Sequence, residues 1–151
     1  MPKKETVKLA RRAEREGKSA STQAGEFVRE EIESIRKGEH GARSTKQAIA
    51  IGLSKARRAG VKLPVPKKGS VPDETRQRAE RDLAAAQEHP KHAPSRKRSQ
   101  AVLKALKREG SASVTKEALS KHSRTAQRRR APAQKSASAK KAARTRRMRA
   151  S

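Results

Sequence analysis

Large apolar side chains are too scarce in this chain to support one extended hydrophobic core. Leu, Ile, Val and Phe together occupy 19 of 151 positions, whereas Lys and Arg occupy 41 and Asp and Glu 15, for a net charge of +26. Burying one such side chain contributes about 1.5–3 kcal/mol, while ordering each residue costs roughly 1–2 kcal/mol of backbone entropy. The composition therefore predicts a mainly α protein of small helical hairpins joined by Pro- and Gly-containing linkers, with a disordered basic C-terminal tail.

The helical pattern is strongest after residue 19, where hydroxyl residues provide an N-cap and Gly38 a C-terminal stop. The apolar positions of this helix share one arc of about 140°: Ala24, Phe27, Val28, Ile32 and Ile35. Glu26, Glu30 and Glu33 are expected on its solvent face.

A second amphipathic helix is predicted from Ser44 to Gly60. Ser44 and Gln47 form an S-x-x-Q capping box, which satisfies two backbone donors at a helix start. Ile49, Leu53 and Ala56 make its apolar arc. Because neither helix can bury its apolar face alone, the two are expected to pack as a hairpin.

Pro and Gly residues divide the rest of the chain. We expect a charged N-terminal helix over residues 1–18, with Leu9, Ala10 and Ala13 on one side, and the amphipathic hairpin over 19–60. A Pro-rich linker over 61–72 and a charged helix with a linker over 73–94 follow. This helix is expected to have little tertiary role and to be either solvated or stabilised by charge pairs such as Asp82 with Arg78. A weak basic hairpin over 95–130, with Val114 in its second element, precedes the tail at 131–151.

Residues 44–60 carry a recognisable motif, Ser-Thr-Lys-Gln-Ala-Ile-Ala-Ile-Gly-Leu-Ser-Lys-Ala-Arg-Arg-Ala-Gly. This stretch resembles the KQAIAIxLSxARxAG signature of a family of small basic bacterial proteins, a domain of unknown function. The resemblance implies a bacterial origin and brings no activity or binding residues with it. The tail is similar in composition to the C-terminal arms of linker histones and of bacterial histone-like proteins.

The distribution of charge points to nucleic acid. Residues 123–151 contain eleven Lys or Arg and no Asp or Glu. A flexible polycation binds a polyanion by releasing condensed counterions, which requires charge density rather than a fixed fold. Trp and Tyr are absent and Phe27 is the single aromatic residue, so the chain lacks stacking platforms for single-stranded bases. The expected function is nonspecific, phosphate-mediated binding of duplex DNA, of histone-like type. The protein is expected to be cytoplasmic and associated with the nucleoid.

The cations expected to contact phosphate fall in three regions. The hairpin contributes Lys46, Lys55, Arg57 and Arg58. The 95–130 region contributes Arg96, Lys97, Arg98, Arg124, Arg128, Arg129 and Arg130. The tail contributes Lys135, Lys140, Lys141, Arg144, Arg146, Arg147 and Arg149, and phosphate neutralisation is expected to convert its coil to helix.

Other classes of function have little support in the sequence. His89 and His92 form an H-x-x-H pair between prolines, but without Cys or a third ligand nearby they are interpreted as loop residues. No catalytic residue, cofactor, metal or small-molecule substrate is expected, so the chain is interpreted as a non-enzyme. No apolar run reaches the length of a membrane span, and the basic region lacks the Trp, Phe and Leu of an interfacial anchor.

Two alternatives remain beside DNA binding. The same cations suit RNA or a ribosome-associated role, with DNA favoured. A scaffold or regulatory protein would instead act through the 19–60 hairpin, with the tail only localising it. A sequence-specific helix-turn-helix is less favoured, because the connection is longer than the usual three or four residues and the exposed side chains are mostly Lys and Arg. The target sequence and oligomeric state stay open.

Overall fold

The computed structural model describes residues 2–87, 95–129 and 132–150, and within these ranges the fold is all helical. The helices are α1 Lys4–Arg15, α2 Ala20–Arg36, α3 Thr45–Arg58, α4 Asp73–Gln87, α5 Arg96–Lys107, α6 Lys116–Arg128 and α7 Pro132–Ala150, with one 3-10 turn at Ala112–Val114. The described ranges contain no β-strand, only an isolated bridge between Lys68 and Val71. The predicted mainly α class is confirmed. Contacts divide the chain into a first unit, Met1–Thr115, and a second unit, Lys116–Ser151.

Helices α2 and α3 form the centre of the first unit. The Ser19 hydroxyl caps α2 by accepting the Thr22 N–H, and Ser44 caps α3 by accepting the Gln47 N–H at 3.2 Å. Phe27 is fully buried between the helices. A Cβ added at Gly52 would lie 2.7 Å from the Val28 Cα, so this glycine permits the close approach of the two helices.

Helix α1 packs against α2 and extends the same core. Thr6, Ala10 and Ala13 are its buried residues, whereas Leu9 is 48% exposed. The predicted stripe was therefore wrong at Leu9, because the face that α1 buries is formed by the smaller side chains of Thr6, Ala10 and Ala13. Val61, at the start of the predicted linker, also belongs to this core.

Helix α4 packs against α3 instead of standing alone. Ala79 and Asp82 are buried at this contact. The Ser54 hydroxyl donates to Asp82 Oδ2 at 2.6 Å, and Arg58 Nε donates to Oδ1 at 2.7 Å. The expectation of a minor tertiary role was wrong, since Asp82 pairs across the helix interface rather than with Arg78 one turn earlier.

Residues 106–114, called the latch below, return to the α2–α3 connection. Val114 is 1% exposed and packs with Ile35, Ala42 and Ala48. The expectation that Val114 lies in a hairpin partner of α5 was wrong, because the apolar pocket at this connection takes the side chain instead.

The latch is bound to α2, α3 and their connection mainly through hydrogen bonds that the backbone carbonyls of the latch accept. The Gly41 N–H donates to the Leu106 carbonyl at 2.9 Å, and the Ala42 N–H donates to the Gly110 carbonyl at 3.2 Å. The other two donors are the Arg36 guanidinium, to the Val114 carbonyl, and the Thr45 hydroxyl, to the Ser113 carbonyl.

The second unit consists of α6 and α7. No residue of α6 is buried, and the α7 side chains that the structure describes are exposed. The tail for which the sequence predicts disorder thus has a helical form at Pro132–Ala150. Its Ala, Lys and Arg residues favour helix, and Pro132 suits a first helical position. Local propensity, not packing, accounts for this helix.

Candidate nucleic-acid interface

Lys55, expected at a phosphate contact, lies in a charge cluster inside the first unit. Its Nζ is 2.6 Å from Glu31 Oε2 and 3.8 Å from Glu30 Oε1. Glu31 is fully buried, and His40 Nε2 lies 3.4 Å from its Oε1. Neither Glu31 oxygen accepts a hydrogen bond of regular geometry, so the attraction in this cluster is electrostatic. Lys55 therefore neutralises buried carboxylates, and this pairing competes with a contact to phosphate.

The burial of Glu30 corrects the helical-wheel prediction for α2. The wheel places Glu30 on the solvent face of α2, but Glu30 is only 6% exposed. Its Oε2 accepts the Lys3 backbone N–H at 3.1 Å. Helices α1 and α3 both pack against α2. Because α2 is contacted on two sides, its buried arc is wider than the arc of its apolar residues. A helical wheel that considers only the apolar stripe therefore does not identify Glu30 as buried.

Arg57 is also placed inside the first unit. It is 8% exposed and its Nε has no hydrogen-bond partner. Burial lowers the pKa of Arg57 from its ordinary value, and the charge of Asp82 opposes that change. The expectation that Arg57 contacts phosphate is therefore corrected. Arg57 borders the apolar arc of α3, and neighbouring elements cover it.

The other two predicted cations of α3 remain accessible to different degrees. Lys46 is exposed in the first turn of the helix. The Arg58 side chain is 66% exposed but already pairs with Asp82. Of the four cations predicted in the hairpin, Lys46 is thus the best placed for an external anion.

The first turn of α5 presents three adjacent cations. Arg96, Lys97 and Arg98 are all exposed, and no acidic residue lies in this turn. Cations at a helix N-terminus are opposed by the helix dipole, typically by about 0.3–1 kcal/mol each. A phosphate bound here would relieve that repulsion and interact favourably with the dipole.

The second unit carries the densest positive charge. Every Lys and Arg side chain that the structure describes between residues 116 and 148 is exposed, and Glu117 is the single acid in residues 116–151. On α6, Lys121, Arg124 and Arg128 are spaced by three and four residues and so share one helix face. Arg129 follows directly after this helix and is exposed, whereas Arg130 lies outside the described residues.

On α7 the cations surround the helix instead of forming a stripe. The exposed members are Lys135, Lys140, Lys141, Arg144, Arg146 and Arg147, and Arg149 belongs to the last turn. The helix has no acidic residue and no run of large apolar residues that would form a second face. It therefore suits an extended polyanion and offers no stripe for a hydrophobic partner.

The described residues offer little for other chemistry. Within them, no group of three His, Cys, Asp or Glu side chains is placed to hold a metal ion. His89 and His92 lie outside the described residues. A cavity of about 50 Å³ between α1 and the end of α3 is lined in part by Arg11, Glu14 and Phe27, and it has room for little more than water. No helix in the described part of the chain combines the length and the apolar character that crossing a membrane requires.

Comparison with known proteins shows similarity to one family over part of the chain. The model of a family described as a family of unknown function (DUF6496) matches residues 5–68, which includes the motif at 44–60. This range covers α1, α2 and α3 and ends before α4. The chain is similar to that family over this part of its length. No curated protein and no solved structure matches the chain.

Proposed function

We propose that this chain is a non-enzymatic protein that binds duplex nucleic acid, DNA in preference to RNA, through phosphate contacts made mainly by its second unit. The observation that carries the proposal is the exposure of every described cation in α6 and α7, against one acid, Glu117. Phosphate contacts fix position without reading bases, so binding is expected to be independent of sequence. A cytoplasmic site of action on a bacterial nucleoid is part of this proposal.

The first unit is proposed as a scaffold with a smaller electrostatic contribution. Its ion pairs, Lys55 with Glu31 and Arg58 with Asp82, neutralise charge that the sequence alone would assign to binding. The exposed cations Lys46, Arg96, Lys97 and Arg98 remain available for additional phosphate contacts. We therefore assign most of the affinity to residues 116–150.

Duplex DNA is favoured over single-stranded RNA because the chain has almost no aromatic side chains. Recognition of single strands commonly uses aromatic residues on which bases stack, at roughly 1–3 kcal/mol per base. The chain has Phe27 as its single aromatic residue, and Phe27 is fully buried. Phosphate contact with a duplex requires no stacking platform.

A scaffold role acting through the 19–60 hairpin has less support. Partner-binding helix pairs usually offer an apolar groove to an incoming helix. Here α1, α4 and the 3-10 turn of the latch all contact the α2–α3 pair. The apolar faces that such a partner would need are covered by the chain's own elements.

Two variants of the full chain test the proposal. The α7 variant replaces Lys135, Lys140, Lys141, Arg144 and Arg146 by Gln, and the control variant replaces Arg11, Arg43, Lys62, Lys67 and Lys68 by Gln. All ten residues are exposed, and both variants lower the net charge of +26 by five. Fluorescence anisotropy would measure binding to two duplex DNAs of unrelated sequence and to a structured RNA.

We expect the α7 variant to lose at least about tenfold in affinity for both DNAs, while the control variant loses much less. Equal losses in the two variants would show that total charge, not the second unit, sets the affinity. A clear preference for the RNA, or for one DNA sequence, would contradict the proposed partner. Full-length protein that fails to bind either DNA would overturn the proposed function itself.

A further inference from the structure

Helix α7 distributes its positive charge around its whole circumference. At about 100° per residue, Lys135 and Arg146 lie about 20° apart on one side. Lys140 and Arg144 lie roughly on the opposite side, and Lys141 lies about 60° beyond Arg144. No empty arc wider than about 120° separates these cations. A flat anionic surface could therefore contact about half of them at once.

The charge arrangement of α6 is different and provides an internal comparison. Lys121, Arg124 and Arg128 share one face of α6, which suits contact with a single row of phosphates. Because α7 lacks such a preferred face, all of its cations can contact anions at once only if the partner places anions on more than one side of the helix. A groove with phosphates along both walls has this geometry.

The dimensions of α7 fit one duplex groove. An α-helix with its side chains is about 10–12 Å wide, and the B-DNA major groove is about 12 Å wide and 8.5 Å deep. The minor groove, about 6 Å wide, does not admit a helix. The 19 residues of α7 span roughly 28 Å, which is less than one turn of the duplex.

The residues between the cations also favour deep entry. Ala and Ser fill most of the remaining positions of α7, so few bulky side chains hold the helix axis away from the groove floor. Lys and Arg side chains are long enough to extend from a central axis to phosphates on either wall. Like-charge pairs such as Lys140 and Arg144, one turn apart, repel in free solution and are relieved when phosphates surround them.

We infer that α7 lies lengthwise in the major groove of duplex DNA, with its cations directed to phosphates on both strands. This inference rests on the proposed function and specifies how the second unit engages its partner. It differs from contact along one strand, in which only one face of the helix would be used.

Methylation by dimethyl sulfate distinguishes the grooves in a single experiment. The reagent methylates guanine N7, which lies in the major groove, and adenine N3, which lies in the minor groove. With full-length protein at saturation on a duplex of mixed sequence, we expect guanine N7 methylation to fall at least about threefold while adenine N3 methylation stays unchanged. The control variant should protect N7 equally, and the α7 variant should not, at concentrations where both are bound.

A rearranged helix separates groove entry from simple charge attraction. Three exchanges, Ser138→Lys with Lys141→Ser, Ala139→Lys with Lys140→Ala, and Ala142→Arg with Arg144→Ala, keep the composition but bring most cations to one face. This variant should retain its affinity within about threefold and lose N7 protection.

The outcomes separate the inference from the proposed function. Tight, salt-dependent binding without N7 protection, or with adenine N3 protection instead, would overturn major-groove entry while leaving phosphate binding intact. Equal N7 protection by the rearranged variant would overturn the argument from charge distribution. Failure of the full-length protein to bind the duplex would overturn the proposed function and the inference with it.

Discussion

Lys55 Nζ lies 2.6 Å from Glu31 Oε2, and this pair joins α3 to α2 at a fully buried carboxylate. Removing one partner of a buried ion pair leaves an uncompensated charge, which typically costs about 3–5 kcal/mol. We therefore expect Lys55→Met to lower the free energy of unfolding by about 3 kcal/mol, as measured by urea denaturation.

The same substitution distinguishes a structural role from a binding role for Lys55. Under conditions where Lys55→Met remains folded, its affinity for duplex DNA should match that of the original chain within about twofold. The double substitution Lys55→Met with Glu31→Gln should recover part of the lost stability, because the fully buried charge of Glu31 is then removed together with its partner. A stable single variant with weakened DNA binding would return Lys55 to the interface.

The latch provides a second prediction, at Val114. This side chain is 1% exposed and packs with Ile35, Ala42 and Ala48. Val114→Ala should lower the free energy of unfolding of the first unit by about 2 kcal/mol. Val102→Ala on α5, where the residue is 54% exposed, is the matched control and should change it by less than about 0.5 kcal/mol. Similar effects of the two substitutions would show that the latch is not docked.

Two glycines of the first unit should respond to alanine in opposite ways. A Cβ at Gly41 would lie within 1.8 Å of the Glu109 carbonyl oxygen, whereas a Cβ at Gly25 would meet nothing within 4 Å. Gly41→Ala should therefore displace the latch and lower the thermal unfolding midpoint. Gly25→Ala, inside α2, should raise stability by about 0.5–1 kcal/mol, because alanine favours helix. Stabilisation by both would contradict the close approach at Gly41.

Glu16 gives a prediction for the pH dependence of stability. Hydrogen bonds from Lys18 and Arg12 lower the pKa of Glu16 from its ordinary value of 4.5. A carboxyl whose pKa is lower in the folded chain contributes stability above the unfolded pKa and loses it as pH falls through the folded value. Glu16→Gln should therefore flatten the fall of the urea midpoint below about pH 4.5, most clearly at low salt. An unchanged pH profile would show that these bonds are absent in solution.

The local structure of the first unit follows from sequence rules because its determinants lie within a few residues of each other. Ser44 caps the helix that the sequence assigns to it, and Ser19 is the one of the expected hydroxyl residues that caps α2. Gly38 adopts a φ of +74° just after α2, the left-handed conformation expected of a glycine that ends a helix. These features depend on backbone donors and acceptors that each segment must satisfy locally.

The long-range contacts could not be read from helical periodicity. Asp82 pairs with Arg58 from a neighbouring helix, and Val114 packs 66 positions or more from Ala48 and Ile35 in the sequence. A helical wheel describes one helix against one partner, whereas α2 and α3 each contact several elements. The cations of α6 and α7 could be identified from composition, because these helices bury no cation that the structure describes. The surroundings of Lys55 and Arg57 could not, because they depend on contacts of α3 with several elements.

The salt dependence of DNA binding tests the central proposal most directly. Each phosphate contact releases condensed counterions and steepens the fall of log K with log salt concentration by about 0.9. If about eight phosphates are engaged, the slope for the full-length chain should be near −7. The measurement would follow equilibrium binding of one duplex DNA by the full-length chain, the α7 variant and the control variant across a salt series.

We expect the α7 variant to reduce the magnitude of the slope by about 4, because five cations are removed from the second unit. The control variant should reduce it by about 1 or less. A full-length slope shallower than about −3, or equal slopes for the two variants, would contradict phosphate binding centred on residues 116–150.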